Sequence, residues 1–112
     1  MHNTHTFPKN CRIIDKPGFD AVFKKRKKKS NSSFVVYFKK NNSDYPRLGM
    51  IAAKKQLRFA VQRNRVKRII KEVFRHQQKE LIGLDIVIVC LKASGLKSRA
   101  ELRLCLEQLL NV

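Results

Sequence analysis

The chain has 112 residues, the size of one compact domain, and carries 26 Lys and Arg against 8 Asp and Glu, a net charge of +18. Its 43% hydrophobic content is ordinary for a globular protein, so a real core is expected. Like charge at this density opposes compaction and favours a polyanionic partner, and no apolar run approaches the roughly 20 residues that a membrane-spanning helix needs.

The first residues, MHNTHTFPKNCRII, lack the apolar core of a secretory signal, so a cytoplasmic protein is expected. Residues 1–12 are polar and aperiodic and read as an extended arm on a single domain spanning 1–112. The three cysteines, Cys11, Cys90 and Cys105, are odd in number and far apart. Reduced thiols are expected, with Cys90 and Cys105 as small core residues, rather than a disulfide or zinc framework.

Asp15 can cap a first helix, with Pro17 in its first turn. Phe19, Val22 and Phe23 then fall on one helical face. This helix is expected to run through Lys24, Lys25, Arg26, Lys27, Lys28 and Lys29 and to stop near Ser30 and Asn31. Residues 34–38 (FVVYF) read as a strand, with Phe34, Val36 and Phe38 on one face and Val35 and Tyr37 on the other. Residues 41–44 form a turn. Residues 46–54 read as the next strand or strands, where Gly49 marks a bulge or a close backbone approach.

From 59 to about 78 the pattern is helical, and Gly83 closes that region. Residues 84–91 (LDIVIVCL) have the nearly continuous apolar character of a strand buried on both faces. After a loop carrying Gly95, Ser98 caps a last helix that runs to Leu110, with Leu102, Cys105, Leu106 and Leu109 as its apolar stripe. The order helix, strands, helix, strand, helix is that of an α+β fold or a small α/β sandwich, with a sheet of about four strands packed with three helices.

The helix at 59–78 carries the functional argument. Val66, Ile69, Ile70, Val73 and Phe74 cluster on one side, while Arg63, Asn64, Lys67, Arg68, Lys71 and Arg75 occupy the opposite arc. Arg65 lies at the far edge of the apolar stripe. Glu72 is the only acid between Lys54 and Lys79. A solvated helix face normally mixes signs at i, i+4, so this cationic face points to RNA. Arginine's planar fork suits bidentate phosphate contact and stacking on bases. Asn64 suits a base edge, a 2′-hydroxyl or a metal-bound water, and equally a local bond.

Phe19, Phe23 and Tyr37 are ambiguous. If the first helix covers the Val35 and Tyr37 face, these rings line a groove beside Lys24 to Lys29, a stacking platform for unpaired nucleotides. Two Phe at i, i+4 are more often a core pair. Catalytic chemistry finds little support. The acids are scattered without paired-carboxylate spacing, and the histidines are His2, His5 and His76. No catalytic or metal-ligating residue is assigned.

The run Arg47-Leu-Gly-Met-Ile-Ala-Ala-Lys-Lys55, followed by Ala60-Val-Gln-Arg-Asn-Arg-Val-Lys-Arg68, closely resembles the bacterial ribonuclease P protein subunit. So do Phe7-Pro-Lys and Arg12, Phe19-Asp-Ala-Val-Phe23, and Asp85-Ile-Val-Ile-Val before an amphipathic helix. The resemblance implies an α-β-β-β-α-β-α order with a left-handed βαβ crossover (ribosomal protein S5 domain 2-like), against the right-handed rule. It implies a monomer joined one to one with a catalytic RNA in a holoenzyme that removes the 5′ leader from precursor tRNA. The cleavage chemistry and its magnesium then belong to the RNA, and no cofactor belongs to the protein. Contact with the catalytic RNA falls on Arg63, Asn64, Arg65, Lys67, Arg68 and Lys71, with Lys54, Lys55 and Arg58. Leader binding falls on Phe19, Phe23, Tyr37, Val35, Lys24 and Lys27. One departure is Arg58-Phe59, where many members carry Gly-Asn or Gly-Lys. Arg58 adds a cation there. The alternatives are a basic RNA-binding protein of ribosomal or RNA-chaperone type, and a basic protein that docks on membranes.

Overall fold

The computed structural model describes residues 16–25 and 27–110. The expectations for the arm at 1–12, Cys11, the Asp15 cap and the motif residues Phe7, Pro8, Lys9 and Arg12 lie outside the described residues. The elements run α1 (Lys16–Lys25), β1 (Lys27–Ser30), β2 (Phe34–Lys40), β3 (Arg47–Ile51), α2 (Ala60–His76), β4 (Leu84–Cys90) and α3 (Arg99–Leu110). Two short 3-10 turns, Gln78–Leu81 and Lys92–Leu96, flank β4. This is the expected element order, and no helix among the described residues is long and apolar enough to cross a membrane.

The sheet has the order β1-β2-β4-β3. β4 pairs antiparallel with β2 and parallel with β3, to which it is joined through α2. It therefore sits inside the sheet with helices on both faces, which explains its apolar run. Ile86, Ile88 and Cys90 join Phe34, Val36 and Phe38 of β2 and Leu48 of β3 under α2 and α3. There they meet Val66, Ile69, Ile70, Val73, Phe74, Leu102, Leu106 and Leu109. On the other face Val87 packs with Val22 of α1, surrounded by Phe19, Phe23, Tyr37, Ile51 and Val89. Cys90 and the half-buried Cys105 belong to the main core as expected, and burial pushes the Cys90 thiol up to about 12.

The lysine run departs from expectation. α1 stops at Lys25, and Lys27–Ser30 forms an edge strand paired with Val35 to Phe38. Continued as helix, the run would stack like charges at i, i+4. As a strand it sends alternate lysines to opposite faces. Asn31 closes the hairpin. Its Oδ1 accepts from the N–H groups of Ser33 and Phe34, each at 2.9 Å. Gly49 makes no bulge, because the β3 and β4 ladder runs unbroken from Arg47 to Ile51.

The far end of the sheet is held by the buried Asp85. Its carboxylate accepts from Arg47 Nε at 2.8 Å and Nη2 at 2.5 Å, and from Asn41 Nδ2 at 3.0 Å. Asn41 also accepts from Ser43 N–H at 2.8 Å and donates to Tyr45 O at 3.2 Å, which shapes the β2 to β3 turn. Gly83, at φ 85°, supplies the left-handed residue that leads into β4, and its carbonyl accepts from Asn41 N–H. Ser98 and Glu101 cap α3 reciprocally, Oγ accepting at 3.3 Å and the carboxylate at 3.0 Å.

Burial alone would raise the Asp85 pKa, but hydrogen bonds from Arg47 and Asn41 and the charges of Arg47 and Lys39 outweigh it. They hold the carboxyl below 3.8. Its contribution to stability is therefore present above pH 3.8 and lost as pH falls through the lower folded value. Asp85→Ala should cost about 3 kcal/mol by urea unfolding near neutral pH and flatten the acid limb of the stability profile. A Cβ on Gly95 would lie 2.8 Å from Leu57 Cδ2 and 3.2 Å from Gln62 Nε2, at the start of α2. Leu57 is fully buried, so Gly95→Ala should lower stability by about 1–3 kcal/mol in the same assay.

Candidate nucleic-acid interface

α2 buries the five apolar residues expected of it, Val66, Ile69, Ile70, Val73 and Phe74. That commitment turns the rest of the helix outward. Asn64 and Arg68 are exposed, and Lys67, Lys71 and Arg75 are half-buried along the same outer arc. Glu72, the one acid of the helix, faces α3 and accepts from Arg99 Nη2 at 2.7 Å. The outer arc therefore keeps its positive charge uncompensated by the helix's own carboxylate.

The arginines of the helix differ in what they hold. Arg63 Nη1 donates to the carbonyls of Leu57 at 2.9 Å and Arg58 at 3.1 Å, so it fastens the turn before the helix. Arg65 Nη2 donates to Gly95 O at 3.0 Å, tying α2 to the turn after β4. Arg68 is the arginine that stands clear on the outer arc. Lys54, Lys55 and Arg58 are exposed in the preceding turn, where the Gln56 and Leu57 N–H groups both donate to Ala53 O. That turn needs no glycine, because Arg58, at the glycine position, has no positive φ; among the described non-glycine residues only Asn42 has one.

The ambiguous aromatics come together on the sheet face opposite α2. The Phe23 and Tyr37 rings meet edge to face at 4.8 Å between centroids, and Phe19 lies 6.5 Å from Phe23. All three rings are half-buried, and Val35 shares their face of β2. Residues directly opposite on paired strands share a face. Lys28 is opposite Tyr37, and its Nζ stands 5.9 Å from the ring centroid. Lys27 is opposite Phe38, a residue of the other face, although Lys27 also lines a cavity beyond Tyr37. Lys28, rather than Lys27, is the lysine of β1 that stands over the rings. Reading the lysine run as a strand would have found it by alternation. Lys24 is exposed near the end of α1.

Beyond Tyr37 the same face carries Lys39, beside Asp85 and Arg47 on the neighbouring strands. A cavity of about 720 Å³ opens there, lined by Lys27, Lys39, Lys40, Asn41, Asn42, Arg47 and Asp85. The surface thus offers a cationic helix on one side of the sheet. On the other it offers a ring platform flanked by lysines. Both suit a polyanion with unpaired bases better than a small neutral ligand.

Residues 7–112 match the family model described as Ribonuclease P. The ribonuclease P protein component of Pseudomonas aeruginosa is 40% identical over 97 residues, 86% of this chain and 72% of that protein. The Staphylococcus aureus RNase P protein superposes with a TM-score of 0.83 at 32% identity, covering 89% of this chain and 92% of that one. The Thermotoga maritima RNase P protein gives 0.73 at 36% identity, covering 82% and 87%. The chain belongs to the ribonuclease P protein family, as a protein component of the bacterial type.

Proposed function

We propose that this chain grips a catalytic RNA through α2 and the turn before it, and holds the 5′ leader of precursor tRNA against the rings of α1 and β2. The single observation that carries the reading is the ring platform of Phe19, Phe23 and Tyr37 with Lys28 beside it, on the sheet face opposite the cationic arc of α2. Rings interleaved with cations hold single-stranded nucleotides, whereas a bare cationic helix suits the backbone of a folded RNA. The two faces can then engage two RNA segments at once.

In this reading the RNA carries out the cleavage, with magnesium at its own active site. The carboxylates near the proposed surfaces already have structural partners. Asp85 is bound by Arg47 and Asn41, Glu72 by Arg99, and Glu101 caps α3. The chain's part is to position substrate and screen phosphate charge. A monomer working one to one with the RNA in the cytoplasm completes the proposal.

Reconstitution with the catalytic RNA at low magnesium tests it. The protein should stimulate precursor tRNA cleavage, and folded protein without stimulation would sink the reading. Binding should weaken steeply with salt, by a log–log slope of roughly 0.7 to 0.9 for each phosphate neutralised. Arg68→Ala should weaken binding to the catalytic RNA, and so should Arg65→Ala, although that change also removes the bond to Gly95. Tyr37→Ala or Phe23→Ala should weaken leader-bearing substrate by about tenfold while sparing mature tRNA. Equal losses for the two RNAs would refute the groove assignment.

A further inference from the structure

Phe59 breaks two local rules at once. It occupies the N-cap of α2, a position that favours Ser, Thr, Asp or Asn, and it makes no side-chain cap. Gln62 Oε1 accepts from its backbone N–H at 3.3 Å, leaving the ring with no part in starting the helix. The ring is also 61% exposed, although Phe is ordinarily a core residue. Other large apolar side chains are exposed as well, Val61 and Leu96 among them, but Phe59 is the most exposed ring among the described residues.

The surroundings say what covers it. The Arg58 guanidinium carbon stands 5.7 Å from the ring centroid, so a cation already lies alongside the ring. Lys54 and Lys55 are exposed in the same turn. Arg63 fixes the carbonyls of Leu57 and Arg58, and Leu57 is fully buried beneath. The ring is therefore presented on an ordered turn, and little conformational freedom is lost when a partner arrives. Four cations within ten residues and no carboxylate between Lys54 and Arg63 exclude an acidic neighbour from this chain's own turn. An apolar protein partner would have to bury those cations, whereas RNA supplies phosphates for them and a flat base for the ring.

We infer that Phe59 is a stacking platform for one unpaired base of the partner RNA, with Arg58, Lys54 and Lys55 holding the phosphates on either side. This rests on the proposed binding of a catalytic RNA by the α2 side of the molecule. It adds a base contact where that proposal has only backbone charge. It also gives a role to the departure at Arg58-Phe59, which otherwise adds only one cation.

The test uses the full chain with the catalytic RNA. Phe59→Ser installs an N-cap, so it should raise the melting temperature while weakening RNA binding by about tenfold. The slope of affinity against salt should stay unchanged, since no phosphate contact is lost. Phe59→Tyr should retain affinity. The chain has no Trp, so Phe59→Trp places a single reporter at the site, and its fluorescence should be quenched as the RNA binds. Unchanged affinity in Phe59→Ser, or a Trp whose emission ignores the RNA, overturns the inference. Quenching that appears with protein concentration in the absence of RNA also overturns it, in favour of contact between copies. Arg68→Ala serves as the separate control. If it too leaves RNA binding intact, the broader reading of the α2 side fails, and not only the role of Phe59.

Discussion

The pairing of β4 on both edges is the constraint on which the rest depends. It is the strand that joins the antiparallel part of the sheet to the parallel part, and both of its faces are covered. A strand in that position must be apolar along its middle, and Ile86, Val87 and Ile88 are fully buried. Because successive residues point oppositely, one strand builds two cores. Ile86 and Ile88 anchor α2, while Val87 anchors α1. The separation of a cationic helix from a ring platform follows from that alternation, and so does their fixed relation across one sheet.

Asp85 shows how the same strand reaches the polar end. It lies two residues before Val87 on the α1 face, where an apolar residue would continue the core. Instead a buried carboxylate gathers Arg47 from β3 and Asn41 from the β2 to β3 turn. Breaking such an arrangement leaves buried polar groups without partners, so it specifies register more than it adds to net stability. Arg47 opposite Asp85 allows only one alignment of β3 with β4, and that alignment sets where the turn into α2 begins.

Much of this was legible in the sequence. The apolar faces of residues 66 to 74, the alternation across 34 to 38 and the doubly buried run after Leu84 follow from periodicity, and the structure keeps them. The Arg-Asn-Arg spacing carried the family. The lysine run was misread because six consecutive cations have no hydrophobic period to distinguish helix from strand. Only the Asn31 hairpin and pairing with β2 decide it, and both are tertiary. The same gap left open which lysine of the run faces the rings. The division of labour among Arg63, Arg65 and Arg68 was equally out of reach, since their partners are backbone carbonyls of Leu57, Arg58 and Gly95. Helical angle can group such residues by side but cannot say which one holds the chain to itself.

The edge strand has a consequence beyond RNA. Among the described residues β1 is the outer strand of the sheet, and a sheet margin is the kind of edge that can invite a second copy to add a strand. Here three of its four residues are lysines, all exposed. Two such edges brought together would set lysine against lysine with no acid in either strand. The charge that suits an anionic partner thus also guards the free protein against sheet-to-sheet association. A variant that neutralised β1 to sharpen RNA discrimination would remove the gatekeeper that keeps the chain colloidally separate.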